Sequence, residues 1–231
     1  MPITLDQLRR YAIARSLFKP TTLMRAIERM GFVQADPIRA PARAQDLTLR
    51  HRVRGYRVGD LERRYRDLPL EEDFFVNYGF LPRTTQCLMH PRQARTVWTP
   101  ERLHQAEDVR RFIERSGPVH PRAVDAHFAH GKAVNWFGGT SNASTQLLDG
   151  MHYRGMVRVA WRDGGTRVYA PLLDHDRLPV DEKEAGARLD RLLDVIVHLY
   201  APLPAATLTQ LLGHLRGGVP QWSGWLAAAL S

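Results

Sequence analysis

The chain has 231 residues, a length that suits one compact domain or two to three small ones. Lysine and arginine number 33 against 24 acidic residues, which gives a net charge of +9 and a pI near 10.3. Such a balance favours a polyanionic partner and places nucleic acid ahead of a membrane surface. All but three of the basic residues are arginines, which make forked contacts to phosphates and base edges.

The N-terminus and the cysteine content indicate the compartment. Cys87 is the single cysteine, so an internal disulfide framework is excluded and a reducing cytoplasm is expected. Arg9 and Arg10 interrupt the first apolar positions, unlike a signal peptide. No apolar run approaches the length that spans a bilayer. We expect a cytoplasmic, nucleoid-associated protein without membrane contact.

The first 95 residues predict a helix-turn-helix unit. Thr4 and Gln7 form a capping-box pattern, and the helix that follows has an apolar face of Leu5, Leu8, Ala12 and Leu17. A second helix is predicted from 20–22 to Gly31, followed by an alternating run over 32–38. Residues 47–66 alternate weakly and are expected to supply a wing and a helix over 60–66. The aromatic segment 71–82 is interpreted as a packed connection.

Residues 96–178 predict a complete winged helix. A helix is expected from Thr99-Pro100 to Arg115, a second from Pro121 to about His130, and a third capped by Thr140 or Ser141. Alternating residues over 157–162, the turn 163–165 and the return over 167–169 then predict a hairpin. Three helices followed by a hairpin are the order of a winged helix.

Residues 179–231 predict a third helix-turn-helix unit whose wing is absent or truncated. A strongly amphipathic helix begins near Asp181, and helices over 204–215 and 219–230 follow. The predicted fold class is therefore mainly α with small β-hairpins (α+β), arranged as tandem winged helix-turn-helix units. The domain boundaries are expected near 95 and 179.

The run over 32–38 carries a candidate site. Side chains two apart on a strand share a face, so Gln34 and Asp36 should point the same way with their Cα atoms about 6–7 Å apart. This pair can equally be the solvated face of a strand. Arginines that could grip DNA phosphates surround it, and the alternative for them is also a solvated surface; they are Arg39, Arg43, Arg50, Arg52, Arg54 and Arg57.

The second unit offers further candidate DNA contacts. Its third helix opens with short hydrogen-bonding residues that suit phosphate and sugar contacts, or that form an ordinary polar first turn: Thr140, Ser141, Asn142 and Ser144. Arg158 and Arg162 alternate along the predicted hairpin. His127 and His130 have the spacing of one helix face, but no further zinc-ligand pattern accompanies them. We therefore expect no metal.

Several stretches in chain order resemble one family. The Gln34-Ala35-Asp36 motif followed by Pro-Ile, the stretches 42–44 and 46–49, Phe80-Leu81-Pro82 and Arg167-Val168-Tyr169 resemble the winged-helix DNA glycosylases of the AlkZ/YcaQ-like family. The Gln-x-Asp form is similar to its YcaQ-like branch. The resemblance implies tandem winged helices followed by a β-barrel, and removal of N-alkylated or crosslinked purines without a metal or other cofactor.

The resemblance also implies roles for the two candidate residues. Asp36 would position or deprotonate the attacking water and stabilise positive charge on the sugar. Gln34 would hold the same water or the sugar-phosphate. The expected partner is double-stranded DNA, bound by a monomer. Gln45 stands where the family commonly has histidine, and 74–78 lacks a histidine. We also expect the chain to lack the β-barrel. A non-enzymatic DNA-binding regulator and a protein-interaction fragment are the alternatives.

Overall fold

The computed structural model describes residues 3–36, 38, 40–134, 140–172 and 181–228. The chain forms two compact units, Met1–Met89 with Val180–Ser231 and His90–Pro179. The predicted segments 1–95 and 179–231 therefore fall largely in the same compact unit. The interpretation of the chain as three tandem helix-turn-helix segments stays a prediction.

The first unit opens with two helices whose ends were predicted from local capping residues. Helix α1 (Leu5–Ser16) begins with the capping box between Thr4 and Gln7, and α2 (Leu23–Met30) is capped by Thr22. Helix α2 ends at Gly31, whose φ of 76° lies in the left-handed region. Both predictions are confirmed. None of the residues of α1 is buried, so its apolar face lies in solvent in the described structure.

A small antiparallel sheet follows, and it corrects the predicted wing. Strands β1 (Val33–Gln34), β2 (Leu70–Phe74) and β3 (Tyr78–Pro82) have the order β1-β3-β2. Residues 47–66 form no wing: they include most of helix α3 (Ala44–Arg50), a turn region and helix α4 (Asp60–Arg64), which continues as a single 3-10 turn to Asp67. The predicted helix near 60–66 is thus confirmed, whereas the predicted wing is wrong.

The hairpin instead comes from the segment interpreted as a packed connection. Its strand β2 buries three consecutive acids, Glu71, Glu72 and Asp73, which concealed it in the sequence. Each carboxylate accepts a hydrogen bond: Glu71 from Arg83 Nε at 2.8 Å, Glu72 from the Tyr78 hydroxyl at 2.9 Å, and Asp73 from Gln86 Nε2 at 3.1 Å. Burial of acids is tolerated here because these bonds replace those to water.

The C-terminal helices complete the core of the first unit. Helix α5 (Arg83–Gln86) follows β3, and α9 (Glu182–Tyr200), α10 (Ala205–Gly218) and α11 (Ser223–Ala228) come from the other end of the chain. Helix α9 is amphipathic as predicted and buries Leu189, Leu192 and Ile196. These side chains belong to one apolar cluster with residues of the hairpin region, among them Phe32, Phe75 and Leu81.

The second unit has the predicted order of helices and hairpin. Helices α6 (Pro100–Ser116), α7 (Pro121–Phe128) and α8 (Ala143–Tyr153) precede strands β6 (Val157–Asp163) and β7 (Thr166–Pro171). Gly164 and Gly165 have φ values of 55° and 91°, as a two-residue hairpin turn requires. An additional ladder of β4 (Lys132–Val134) and β5 (Thr140–Asn142) lies between α7 and α8 and was not predicted.

Two helix ends in this unit differ from the prediction. Helix α7 ends at Phe128 because Ala129 adopts a left-handed conformation with φ of 49°, so His127 and His130 do not share a helix face. Helix α8 is capped by Asn142, whose side chain accepts from the Thr145 N–H at 3.1 Å, and not by Thr140 or Ser141.

Neither a membrane-spanning helix nor a metal-binding cluster is found among the described residues. No helix there combines the length and apolarity needed to cross a bilayer. That same part of the chain contains no group of three or more histidine, cysteine, aspartate or glutamate residues arranged to hold a metal ion.

Candidate functional site

Gln34 and Asp36 lie at the end of β1, on the edge of the first sheet. Gln34 is exposed and pairs with Gly79 of β3, and the Ala35 N–H continues the ladder to the Tyr78 carbonyl at 2.9 Å. The strand itself ends at Gln34, shorter than the predicted run over 32–38. The close approach of this edge requires a glycine at 79, since a Cβ there would lie 2.4 Å from the Val33 carbonyl oxygen.

The Asp36 carboxylate accepts a hydrogen bond through one of its two oxygens. Its Oδ1 accepts a hydrogen bond from the Ile38 N–H, two residues further along the chain, at 2.8 Å. Among the described residues, no hydrogen-bond partner is found for its Oδ2. The side chain is half-buried, so it remains accessible to water. A fixed carboxylate with one available oxygen can orient a water molecule and accept its proton.

Gln45 joins this carboxylate segment to helix α3. Its Oε1 accepts a hydrogen bond from the backbone N–H of Asp36 at 3.1 Å. The residue lies in the first turn of α3 and is only 3% exposed. Sequence reasoning noted Gln45 as a departure from the family pattern but did not assign it this contact. A hydrogen bond between residues nine positions apart leaves no periodic signal in the sequence.

The arginines predicted around the carboxylate divide into two groups. Arg50, Arg54 and Arg57 are exposed. The other two described arginines have protein partners: Arg43 forms an ion pair with Glu62, and Arg52 donates to the carbonyls of Ser16 and Thr48, both at 2.7 Å. Burial lowers the pKa of Arg52. Arg39 lies outside the described residues.

A pocket of about 280 Å³ opens beside α3. Its lining includes Asp46, which is only 4% exposed. Asp46 Oδ1 accepts hydrogen bonds from the Tyr56 hydroxyl at 2.8 Å and from the Gly59 N–H at 2.9 Å. Burial and the adjacent Asp46 carboxylate raise the pKa of Tyr56, so the phenol remains a neutral donor. Sequence reasoning did not find this pocket.

The candidate DNA contacts of the second unit differ in accessibility. Asn142 caps α8 and is half-buried, whereas Ser144 is fully buried. The Ser144 hydroxyl donates to Asp125 Oδ1 at 3.2 Å and lies 3.1 Å from His130 Nδ1. Ser144 therefore holds α8 in place, and its hydroxyl is buried within the unit instead of lying at the surface. The side chains of Thr140 and Ser141 lie outside the described part of the chain.

The hairpin arginines of the second unit lie on β6. Arg158 and Arg162 are both half-buried. Arg162 Nη1 donates to the Gly165 carbonyl across the turn at 3.1 Å, so part of its guanidinium stabilises the hairpin. Their half-exposed positions leave both residues at the surface of the strand.

Comparison with known proteins supports the resemblance found in the sequence. The family model described as "DNA glycosylase AlkZ-like" matches residues 27–230. The solved structure of Streptomyces sahachiroi DNA glycosylase AlkZ has a similar fold, with a TM-score of 0.60 and 13% identity. The similarity covers 96% of this chain but 66% of that one, slightly less than two thirds of its length. No functionally curated protein matches the chain.

The mixed α and β fold class is thus confirmed by the structure and by the similarity to AlkZ. The family match covers most of the described first unit and all of the described second unit. The chain belongs to the AlkZ-like DNA glycosylase family.

Proposed function

We propose that the protein is a monofunctional DNA glycosylase that hydrolyses the N-glycosidic bond of alkylated purines, including crosslinked ones, in duplex DNA. The observation that carries this proposal is the Asp36 carboxylate, fixed through Oδ1 and available through Oδ2, next to the exposed Gln34. Membership of the AlkZ-like DNA glycosylase family supports it.

The chemistry requires only a positioned water molecule. A purine alkylated at N7 or N3 is already cationic, so the C1′–N9 bond breaks with its electron pair neutralising the base. Positive charge develops on the sugar, and the Asp36 carboxylate stabilises it. Water attacks C1′ and passes a proton to Asp36 Oδ2. The exposed amide of Gln34 holds the water or the adjacent sugar-phosphate.

The DNA surface of the first unit would consist of its exposed arginines. Arg50, Arg54 and Arg57 can neutralise phosphates, which requires no sequence preference. Arg39 is proposed to join them. Arg43 and Arg52 contribute mainly to the fold, because Glu62 and backbone carbonyls already occupy their guanidinium groups.

The second unit would supply additional duplex contacts. We interpret its three helices and hairpin as a winged helix, in which the start of α8 and the strand β6 face DNA. The proposed contacts are Thr140, Ser141 and Asn142 at the start of α8, with Arg158 and Arg162 on the hairpin. Polar side chains of this kind position a duplex through its phosphates and sugars.

The test is release of 7-methylguanine from a duplex that contains N7-methylguanine. We expect Asp36→Asn to lower the rate at least about 100-fold, the range for loss of a general base, with duplex affinity retained. Gln34→Ala should lower the rate about tenfold, as expected for one hydrogen bond to a reacting group. Asp67→Asn, which alters an exposed carboxylate of the same unit, is the matched control.

Two results would contradict the proposal. If the wild-type protein binds the duplex but releases no base from this lesion or from a crosslink, the chain is a DNA-binding module. If Asp36→Asn releases base at the wild-type rate, the chemistry lies at another residue.

A further inference from the structure

The pocket beside α3 has the size of a site for one small ligand. Its volume of about 280 Å³ lies just below the roughly 300–1,000 Å³ typical of small-molecule sites. It is open to solvent on one side and is bounded by the start of α3, the turn before α4 and α4 itself. The lining residues are Pro41, Ala42, Arg43, Asp46, Val58, Gly59 and Glu62.

The charged groups of the pocket leave it with one negative charge in excess. Glu62 is neutralised by its ion pair with Arg43. Arg63, whose guanidinium lies near Gly59, is paired with Asp60 at 2.5 Å. Asp46 has no ion-pair partner among the described residues. An anionic pocket is unexpected in a chain of net charge +9 whose partner is a polyanion.

Asp46 presents hydrogen-bonding capacity to the pocket that the protein does not use. Both of its hydrogen bonds, from Tyr56 and Gly59, go to Oδ1. No partner is found for Oδ2 within the part of the chain that the structure describes. A carboxylate that is 4% exposed loses most of its hydration, so a donor or a cation at Oδ2 would stabilise it.

Helix α3 links this pocket to the proposed catalytic carboxylate. Asp46 lines the pocket, and its neighbour Gln45 accepts the backbone N–H of Asp36. The same first turn of α3 therefore fixes both groups.

We propose that this pocket receives the cationic base of an N-alkylated purine nucleotide, with Asp46 Oδ2 accepting from the base. This inference rests on the proposed function and names the group that recognises its substrate. The excess negative charge favours an alkylpurinium over a neutral purine by electrostatic attraction in a partly desolvated site. Undamaged bases are neutral and lack this attraction.

The experiment measures binding of free base analogues without any reaction. The cation 7,9-dimethyladeninium, which keeps its positive charge at neutral pH, is compared with neutral 9-methyladenine by titration calorimetry. Wild type should bind the cation about tenfold more tightly, which is the scale of one charge-assisted hydrogen bond. Asp46→Asn should remove this preference, because it keeps the shape and an acceptor for Gly59 but loses the charge.

Two further variants and a surface control keep the test decisive. Glu62→Gln leaves Asp46 in place and frees Arg43, so the preference for the cation should also fall; it replaces Asp46→Asn if that variant does not fold. Asp36→Asn should retain full preference. Asp67→Asn is again the surface control. Equal affinity of wild type for the two analogues, or an unchanged preference in folded Asp46→Asn, overturns the inference.

The outcome is separable from that of the proposed function. Base release by a protein without cation preference would reject the pocket and retain the glycosylase. Cation preference in a protein that releases no base would retain the pocket and reject the glycosylase.

Discussion

Helices α3 and α8 both have a polar residue in their first turn, yet the two residues have different roles in the structure. In the first unit, Gln45 in the first turn of α3 holds the backbone of Asp36 and leaves that carboxylate accessible. In the second unit, Ser144 in the first turn of α8 is fully buried between Asp125 and His130. A polar residue in the first turn of a helix can therefore hold an accessible carboxylate segment in place, or it can only stabilise the fold.

The difference lies in what the polar side chain bonds. Gln45 accepts a hydrogen bond from the backbone of Asp36, whose half-buried carboxylate is the proposed catalytic group. Ser144 bonds two other side chains, and its hydroxyl has no access to a ligand. This contrast predicts that Gln45 affects activity, whereas Ser144 affects stability alone.

The largest effect is expected from Gln45→Met, which keeps the side-chain length and removes the acceptor for the Asp36 N–H. Displacement of a catalytic group by about 1 Å costs on the order of 100-fold in rate. We expect a loss of this size in base release with duplex affinity unchanged. Gln45→Glu, which retains an acceptor oxygen, should recover most of the rate. Equal activity of the Met variant and wild type would show that Gln45 does not position Asp36.

The next effect concerns the exposed arginines near the site. Replacement of Arg50, Arg54 and Arg57 by glutamine should reduce the slope of log affinity against log salt by about 2.7, since each phosphate contact contributes about 0.9. Fluorescence anisotropy measurements of duplex binding between about 50 and 200 mM salt give this slope. The same replacement of Arg9, Arg10 and Arg25 on α1 and α2 is the charge-matched control. Identical slopes for the two triple variants would exclude a specific DNA surface at the first group.

Ser144→Ala should lower the free energy of unfolding by about 1–2 kcal/mol, because two buried hydrogen bonds to the hydroxyl are lost. Urea unfolding measures this change. Base release per folded molecule should equal that of wild type. Ser116→Ala, at the exposed end of α6, should change stability by less than about 0.5 kcal/mol. A loss of activity in folded Ser144→Ala would show that Ser144 affects the reaction as well as stability.

The smallest effect is a pH dependence of stability from His130. Burial lowers the pKa of His130, and the nearby Arg102 lowers it further against an opposing effect of Asp125. The unfolded chain then takes up a proton below about pH 6.5 that the folded chain refuses, so stability falls as the pH drops through this value. His130→Gln should flatten this dependence in urea unfolding between about pH 7.5 and 5.5. If the stability of wild type and of His130→Gln depends on pH in the same way, His130 does not contribute to this dependence.

Much of the helical structure could be predicted from the sequence. The capping box at Thr4, the glycine stop at Gly31 and the Gly164-Gly165 turn are all confirmed. The apolar stripe of α9 also predicted its buried face. The family was predicted from short motifs and is confirmed by the match over residues 27–230. The exposed position of Gln34 agrees with either interpretation of the strand pair, so its catalytic role stays a prediction.

The hairpin of the first unit could not be predicted in the same way. The three consecutive acids of β2 show no alternation of apolar and polar residues, so the segment 71–82 predicted only a packed connection. Their partners Arg83, Tyr78 and Gln86 make burial tolerable, but the partnership exists only once the hairpin has formed. Conversely, the weak alternation near 47–66 concealed helix α3, whose buried residues include Asp46 and Leu49.

The sequence by itself determined where α1 begins and α2 ends, how the second hairpin turns, and to which family the chain belongs. These features depend on residues within about four positions of one another, or on φ angles that glycine alone adopts at low cost. The tertiary structure decided that Gln45 meets Asp36, that Asp46 lines a pocket and that Ser144 is buried. The hydrogen bonds responsible join residues 9, 13 and 19 positions apart, and only the packing of helices and strands brings such residues together.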